Sequence, residues 1–287
     1  MKTFFLTTLA LIAFAANSVL CRMALGEGAI DAAGFTTIRL LSGAAALWLL
    51  LRFFLAGGLP RSSGSWQAAT MLFVYALAFS FAYLALNAGT GALILFGSVQ
   101  ITMFSAGLLR GERLGTWAWI GFALAAGGLI YLVLPGVAAP DPAGSLLMAA
   151  AGAAWGLYCL PGRTGSNPLE NTTANFARAA PMAIAASILL AGRSHFSSSG
   201  IVLAVISGAV TSGCGYVIWY SALRHLTILR ASIVQLCVPV LAALGGVAFL
   251  GESMTWRLTV SGALILGGRV VISRAATTAA DRRRPRD

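Results

Sequence analysis

Charged residues are scarce in this chain of 287 residues. They make up 9% of it, against 59% for hydrophobic residues, and the mean hydropathy is +0.86. A soluble domain carries about 25% charged residues, so this chain has too few to cover a surface that faces water. Its apolar runs last roughly 18–22 residues, which predicts membrane-spanning helices rather than the alternating strands, about ten residues long, of a membrane barrel.

Lysine, histidine and cysteine are also scarce, and each scarcity excludes a class of chemistry. Lys2 is the one lysine, so the sequence has no G-x-x-x-x-G-K-[ST] phosphate loop for direct use of ATP. The two histidines, His195 and His225, are too few and too far apart for a His-based metal site. The four cysteines form neither a disulfide framework nor a C-x-x-C pair. We therefore expect no enzyme activity, no metal and no cofactor.

Carboxylates are absent from the predicted spans. Loops, span edges or the tail hold Glu27, Asp31, Glu112, Asp141, Glu170, Glu252, Asp281 and Asp287. Proton- and sodium-driven carriers usually keep an ionisable carboxylate or histidine within the membrane. The distribution favours facilitated diffusion or exchange, and coupling through an edge carboxylate is the alternative.

Ten apolar segments are separated by polar or Gly/Pro-rich breaks. They cover residues 3–21, 33–52, 66–86, 92–110, 116–134, 145–161, 171–191, 200–221, 231–250 and 257–273. The first could instead be a signal peptide, with Ala13-Phe14-Ala15 in its cleavage region. Cleavage would remove the partner of the segment around Trp155 in the internal repeat, so we interpret this segment as a retained span.

A weak internal repeat relates the two halves of the chain. Gly111-Glu112 and Gly251-Glu252 end segments 140 positions apart, and the offset falls to 139 between Arg39 and Arg178. Each unit holds five spans, and an odd number inserts the second unit upside down, as in many secondary transporters. The sequence predicts repeats over residues 1–138 and 139–274, followed by a basic cytoplasmic tail over residues 275–287.

The net charge of +11 is distributed as the topology of a membrane protein requires. If both termini are cytoplasmic, fourteen of the 19 basic residues fall on that side, three fall outside and two lie within spans. This bias fits the positive-inside rule and predicts a multi-pass protein of the inner membrane. The terminal arginines are interpreted as solvated and phospholipid-facing, so we expect no nucleic-acid partner.

Several short motifs, taken in order along the chain, carry a family resemblance. Arg39 in span two, Trp155-Gly156 in span six and the Gly-Glu endings after spans four and nine resemble the drug/metabolite transporter superfamily in its EamA-type branch. Residues 91–102 are similar to the aromatic amino-acid exporters of that group, whereas Asn17-Ser18 stands where the family often has Trp-Gly. The resemblance, which covers essentially the whole chain, implies a central cavity surrounded by spans one to four and six to nine.

Polar and aromatic side chains near the middle of spans are the candidate substrate-binding residues. At that depth their partners are other helices or a wet cavity, so helix packing is the alternative for each. The candidates are Asn17, Tyr75, Tyr83, Ser98, Gln100, Trp155, Tyr158 and Gln235.

Three further residues are candidates for gating or for pairing with a substrate carboxylate. Arg39 and Arg178 are the only charges predicted within spans, where an arginine costs a few kcal/mol. Each therefore snorkels to a headgroup, caps the carbonyls of a neighbouring helix or has such a role. Pro239 removes a backbone hydrogen bond within span nine and predicts a kink or a hinge.

The sequence and the resemblance together predict an all-α secondary transporter of ten helices in two inverted repeats. Its substrates would be small amphiphilic metabolites, amino acids first, exported by alternating access through the central cavity. The alternatives are a carrier of nucleotide sugars or drugs and a membrane channel or scaffold. The expected partners are the substrate and the lipid bilayer, and the oligomeric state is left open.

Overall fold

A computed structural model describes residues 2–54, 64–109, 116–136, 139–160, 167–190, 192, 194–223, 235 and 237–281. These residues form ten helices with one isolated β-bridge. Nine of the helices are α1 (Lys2–Gly26), α2 (Ala32–Phe54), α3 (Trp66–Ala82), α4 (Ala88–Leu109), α5 (Thr116–Val133), α6 (Pro142–Cys159), α7 (Pro168–Leu189), α9 (Cys237–Leu250) and α10 (Trp256–Asp281). The remaining helix, α8, is continuous and consists of α-helical Ser198–Ile206, π-helical Ser207–Cys214 and α-helical Gly215–Leu223.

Polar side chains at the breaks between apolar runs determine where several helices begin. Ser65 accepts a hydrogen bond from the Ala68 amide at 3.0 Å, and Asp141 accepts one from the Gly144 amide at 2.6 Å. Each satisfies an amide that the first helical turn leaves without a partner. Pro142 follows Asp141 at the first position of α6, where the missing proline amide costs nothing.

The helices pack in pairs that join the two halves of the chain. In the first half α1 packs against α8 and α9, and in the second half α6 packs against α3 and α4. Helix α2 pairs with α7, and α5 pairs with α10. If the numbers of α1 and α6 are exchanged, then those of α2 and α7, and so on to α5 and α10, the same list of pairs results.

The pair formed by α5 and α10 meets at two glycines, one on each helix. A Cβ on Gly128 would lie 2.8 Å from the Leu264 Cβ, and one on Gly268 would lie 2.8 Å from the Ala125 amide nitrogen. Because lipid tails provide no hydrophobic drive for association, membrane helices gain from such close backbone approach.

The outer surface of the bundle matches a lipid environment. Within the described ranges, four helical stretches are long and apolar enough to cross a membrane: Thr3–Gly26, Ala32–Phe53, Ala88–Ala106 and Ser198–Ala222. Large apolar side chains face outward, among them Phe53, which is 82% exposed, and Leu109, which is 90% exposed. A water-soluble monomer does not expose apolar surface on this scale. The ten-helix fold is confirmed, and membrane crossing by the less apolar helices stays a prediction.

One end of the bundle contains the turns between α1 and α2, α3 and α4, α7 and α8, and α9 and α10; we call it the Glu252 end. Arg22 Nε lies 3.5 Å from Glu252 Oε1, and Arg22 Nη1 donates to the Tyr83 carbonyl at 3.0 Å. Both Glu252 carboxylate oxygens accept from the Ala88 amide, at 3.0 and 2.9 Å, at the start of α4. Gly251, with φ of +64°, turns the chain back so that Glu252 can reach α4. Glu252 thereby connects α9 to α1 and α4.

A second contact joins the two halves at the same end. Ile30, in the turn after α1, forms an antiparallel bridge with Phe196, in the turn before α8. Beside it the Asp31 amide donates to the His195 carbonyl at 3.0 Å, and the His195 amide donates to Asp31 Oδ2 at 3.2 Å. At the Glu252 end the two halves are therefore joined by an ion pair and by backbone hydrogen bonds.

Candidate functional site

A narrow cavity lies where α1, α3 and α4 of the first half meet α6 and α8 of the second. Its walls are formed by Phe14, Asn17, Ser18, Tyr75, Phe79, Leu95, Phe96, Trp155 and Tyr216. About 310 Å³ in and around it is free of atoms. The part of this space that is wide enough to admit water, however, holds only about one water molecule. A larger guest requires the walls to move apart.

Aromatic rings form most of the cavity wall. The Phe14 ring stands edge-on to Trp155 and to Tyr216, each with centroids 5.9 Å apart. Trp155 lies 4.7 Å from Tyr216 and 5.0 Å from Tyr75, centroid to centroid. These are ordinary distances for favourable ring pairs, and they leave ring faces and edges for an apolar or aromatic guest.

Asn17 connects α1 to the π-helical segment of α8. Its Oδ1 accepts hydrogen bonds from Ser207 Oγ at 2.7 Å, Thr211 Oγ1 at 3.1 Å and Ser212 Oγ at 3.4 Å. Insertions of π-helix are frequent at functional sites because they redirect side chains within a helix. Here the π-helical segment brings three hydroxyl groups to one amide oxygen beside the cavity.

Arg39 lies directly behind the cavity wall and is 1% exposed. Its Nε donates to Ser212 Oγ at 2.9 Å, and its Nη2 donates to the hydroxyls of Tyr75 at 3.1 Å and Tyr216 at 3.2 Å. Its Cζ lies 5.1 Å from the centroid of the Phe79 ring, a cation–π contact. Arg39 therefore does not snorkel to a lipid headgroup.

Arg178, the counterpart of Arg39 in the second half, has different surroundings. Its side chain is half-buried, and its Cζ lies 5.9 Å from the ring centroid of Trp66 at the start of α3. Arg178 does not contribute to the cavity wall. The two arginines occupy equivalent sequence positions, and only Arg39 lies at the centre.

Three of the predicted substrate-binding residues line the cavity: Asn17, Tyr75 and Trp155. Gln100 is buried one helical turn beyond Phe96, which places both on one face of α4. Ser98 packs instead at the contact of α4 with α6, where a Cβ on Gly152 would lie 2.7 Å from the Ser98 Cβ.

Two predicted tyrosines lie beyond the two sides of the cavity. Tyr83 ends α3, its hydroxyl donates to the Ala88 carbonyl at 3.3 Å, and its ring lies 4.7 Å from Phe79. The Tyr158 hydroxyl accepts from Asn175 Nδ2 at 3.4 Å. Neither tyrosine reaches the cavity wall, although both adjoin residues that do.

The start of span nine is described only in part. Gln235 is buried, and its carbonyl accepts from the Val238 amide at 3.1 Å. Pro239 is the third residue of α9. Apart from Gln235, the preceding part of the span, where a kink would lie, falls outside the described residues.

Phe14 and the trio Ser207, Thr211 and Ser212 lie at or beside the cavity, although the sequence does not mark them as site residues. The available signal for Phe14 was its position three and four residues before Asn17 and Ser18, on one helical face. For the trio, the signal was a run of small and polar residues in an otherwise apolar span.

Several buried polar atoms of the described residues have no hydrogen-bond partner. Ser18 Oγ lies on the cavity wall and Arg39 Nη1 behind it, and the others are both amide atoms of Gln100, Trp219 Nε1, the Tyr220 hydroxyl, Ser145 Oγ, Arg257 Nη1 and Ser261 Oγ. Each such atom carries a desolvation cost of about 1–3 kcal/mol, and native interiors retain few of them. A water molecule or a polar ligand bound in the cavity would give Ser18 Oγ a partner.

Comparison with known proteins agrees with this architecture. Residues 142–274 match the EamA-like transporter family. An uncharacterized protein of Pseudomonas aeruginosa is 52% identical over 273 residues, which cover 94% of both chains. A solved crystal structure superposes with a TM-score of 0.66 at 21% identity and covers 93% of this chain and 98% of its own, which shows a shared fold.

Proposed function

Because this chain belongs to the EamA-like transporter family, we propose that it is a secondary transporter of the inner membrane that exports small amphiphilic metabolites. Amino acids with aromatic or apolar side chains are the first candidates. The observation that carries the proposal is the central cavity, whose walls come from both halves of the chain and combine aromatic rings with polar groups.

The chemistry of the cavity supports an amphiphilic substrate. The rings of Phe14, Trp155 and Tyr216 would contact an apolar or aromatic body. Asn17 and the partnerless amide of Gln100 offer hydrogen bonds to a polar head. Binding sites for small molecules combine an apolar lining with a few such polar groups.

Two inverted five-helix repeats, over residues 1–138 and 139–274, would give the cavity two alternative exits. The pairing of helices supports this, because exchanging the halves leaves the main pairs unchanged: α1 with α8 and α9, α6 with α3 and α4, α2 with α7, and α5 with α10. The reciprocal contacts of Gly128 and Gly268, 140 positions apart, support it as well. Rocking one half against the other would then open one end of the cavity as the other closes.

The contacts at the Glu252 end would act as the gate on one side of the membrane. The ion pair of Arg22 with Glu252 and the Ile30–Phe196 bridge each join the two halves, so that end opens only when both separate. The positive-inside bias assigns the Glu252 end to the outer face, with both termini in the cytoplasm. In this arrangement the described conformation is closed to the outside.

Counterflow in proteoliposomes tests the proposal. Liposomes preloaded with unlabelled L-phenylalanine and diluted into a trace of labelled L-phenylalanine should show a transient accumulation of label. A channel would equilibrate the label without this overshoot, and a scaffold would admit none. A screen in the same format, including a nucleotide sugar, would identify another substrate class if amino acids fail.

A further inference from the structure

Arg39 is a buried cation with no anionic partner among the described residues. Its hydrogen bonds go to three neutral hydroxyls, those of Ser212, Tyr75 and Tyr216. The ion pair of Arg22 with Glu252 lies at the Glu252 end and does not include Arg39. Neutral hydroxyls solvate a positive charge without neutralising it.

A buried cation without an anionic partner raises the free energy of the folded protein unless a bound group of opposite charge interacts with it. Burial of an unpaired charge is strongly unfavourable in any protein interior, and still more so at membrane depth. Arg39 Nη1 adds to this cost, because it is buried without a hydrogen-bond partner in the described structure. An anion bound close to Arg39 would compensate the buried charge.

The charge is connected to the cavity through the residues that separate them. Tyr75, Phe79 and Tyr216 all contact Arg39 and all line the cavity, so the guanidinium is one side chain away from a guest. The hydroxyls of Tyr75 and Tyr216 accept from Arg39 Nη2, and a hydroxyl that accepts a hydrogen bond can also donate its own O–H. Hydrogen bonds that run in series from a cation polarise one another, so these O–H groups suit an anionic acceptor.

We infer that Arg39, Tyr75 and Tyr216 form an anion subsite that binds the carboxylate of the transported molecule. The inference rests on the proposed function and narrows it to acids, either zwitterions or monoanions, with a large apolar body. The same uncompensated charge repels amines that lack a carboxylate. Arg39 thus selects for the acid group, and the aromatic rings select for the body.

Matched acid and amide ligands test this inference on the wild-type protein. The pairs are L-phenylalanine with L-phenylalaninamide, and 3-phenylpropanoate with 3-phenylpropanamide, and phenethylamine is added as an amine without a carboxylate. Each is used as a competitor of counterflow and as a stabiliser against thermal unfolding in detergent. The acids should act at concentrations about 10- to 100-fold below those of their amides, the factor expected for a lost charge-assisted hydrogen bond.

Substitutions at position 39 test whether the positive charge of Arg39, rather than the shape of its side chain, causes the preference for acids over amides. Arg39→Gln should remove the preference for acid over amide, and Arg39→Lys, which keeps the charge, should retain part of it. Arg52→Gln is the matched control, since Arg52 lies at the other end of α2 in contact with the Trp48 ring and should leave the preference unchanged.

The outcomes distinguish this inference from the function on which it rests. Equal action of acid and amide on the wild type, or transport of phenethylamine at the rate of L-phenylalanine, overturns the anion subsite and leaves transport standing. If no member of either pair affects counterflow or stabilises the protein, both the proposed function and the inference are contradicted. If Arg39→Gln does not fold, the wild-type comparison still decides.

Discussion

Replacing Glu252 by glutamine should open the Glu252 end more often, if this end is the gate that we propose. Glu252 lies in the turn after α9. It forms an ion pair with Arg22 of α1 and accepts hydrogen bonds from the first amide of α4. Glutamine has almost the same shape and keeps one oxygen that can accept from Ala88. The substitution therefore removes the negative charge and leaves most of the packing.

The size of the effect follows from the geometry of the pair. Two charges 3.5 Å apart attract by about 5 kcal/mol at an effective dielectric constant of 20. The side chains are 22% and 11% exposed, so screening and desolvation offset a large part of this attraction. The substitution also weakens the interaction of residue 252 with the positive end of the α4 dipole. Together, the two losses should lower the free energy difference that favours the closed state by about 1–2 kcal/mol. This raises the ratio of open to closed molecules about 5- to 30-fold.

Cys21 provides the assay, because it is fully buried one residue before Arg22. In a variant that keeps only this cysteine, a membrane-impermeant thiol reagent added from outside should label it slowly. When closing is faster than labelling, the rate follows the open population, so Glu252→Gln should label about 5- to 30-fold faster. Glu27→Gln, at an exposed position of the same end, is the control and should label at the parental rate. An unchanged or slower rate in Glu252→Gln would refute the role of this ion pair as a gate.

Three further predictions concern the cavity, the repeat and the topology. Gln100→Ala, Trp155→Ala and Tyr83→Ala should reduce transport with insertion retained, whereas Trp117→Ala, at a position 63% exposed, should not; normal transport in the three variants at or near the cavity would place the site elsewhere. Gly128→Leu and Gly268→Leu should lower the midpoint of thermal unfolding, while Gly127→Leu and Gly267→Leu, which have no atom within 4 Å of an added Cβ, should not; equal losses would contradict the close α5–α10 contact. Tags at residues 1 and 287 should both be protected from external reagents in intact cells, and one accessible terminus would exclude the inverted repeat.

The number and order of helices could be predicted because long apolar runs and polar breaks determine them locally. Helix ends were less predictable. Span one was expected to end at residue 21, yet α1 continues to Gly26, because Arg22 is held within the helix end by the Tyr83 carbonyl and Glu252. Span ten was expected to end at residue 273, yet α10 continues to Asp281, since a helix does not have to stop where its apolar part stops.

The candidate site was less predictable, because it depends on which helix faces meet. Asn17, Tyr75 and Trp155 were identified by their depth and line the cavity. Ser98 lies equally deep, yet it faces Gly152 of α6, and depth along a span does not reveal direction around it. A site residue on α8 such as Tyr216 also depends on the π-helical segment, which changes the direction of the following side chains and leaves no simple sequence period.

The surroundings of the two arginines could not be predicted from the sequence either. Arg39 and Arg178 occupy equivalent positions in the predicted repeat, and the sequence predicts for each either a structural role or a role in gating or carboxylate binding. Arg39 is enclosed by hydroxyls and rings from α3 and α8, whereas Arg178 meets Trp66 at the start of α3. The repeat predicted where the charges lie along the helices, and the side chains of neighbouring helices decide which of them is enclosed.

The most direct test of the account is counterflow of labelled L-phenylalanine in proteoliposomes whose pH and voltage differences are dissipated by ionophores. No carboxylate or histidine is found among the residues that line the cavity, so transport down the substrate's own gradient should need no imposed ion gradient. The account predicts that the overshoot of label survives the ionophores. Complete absence of counterflow, or accumulation that occurs only with an imposed pH difference, would contradict it. In the second case Glu252→Gln and Glu112→Gln would identify which edge carboxylate carries the proton.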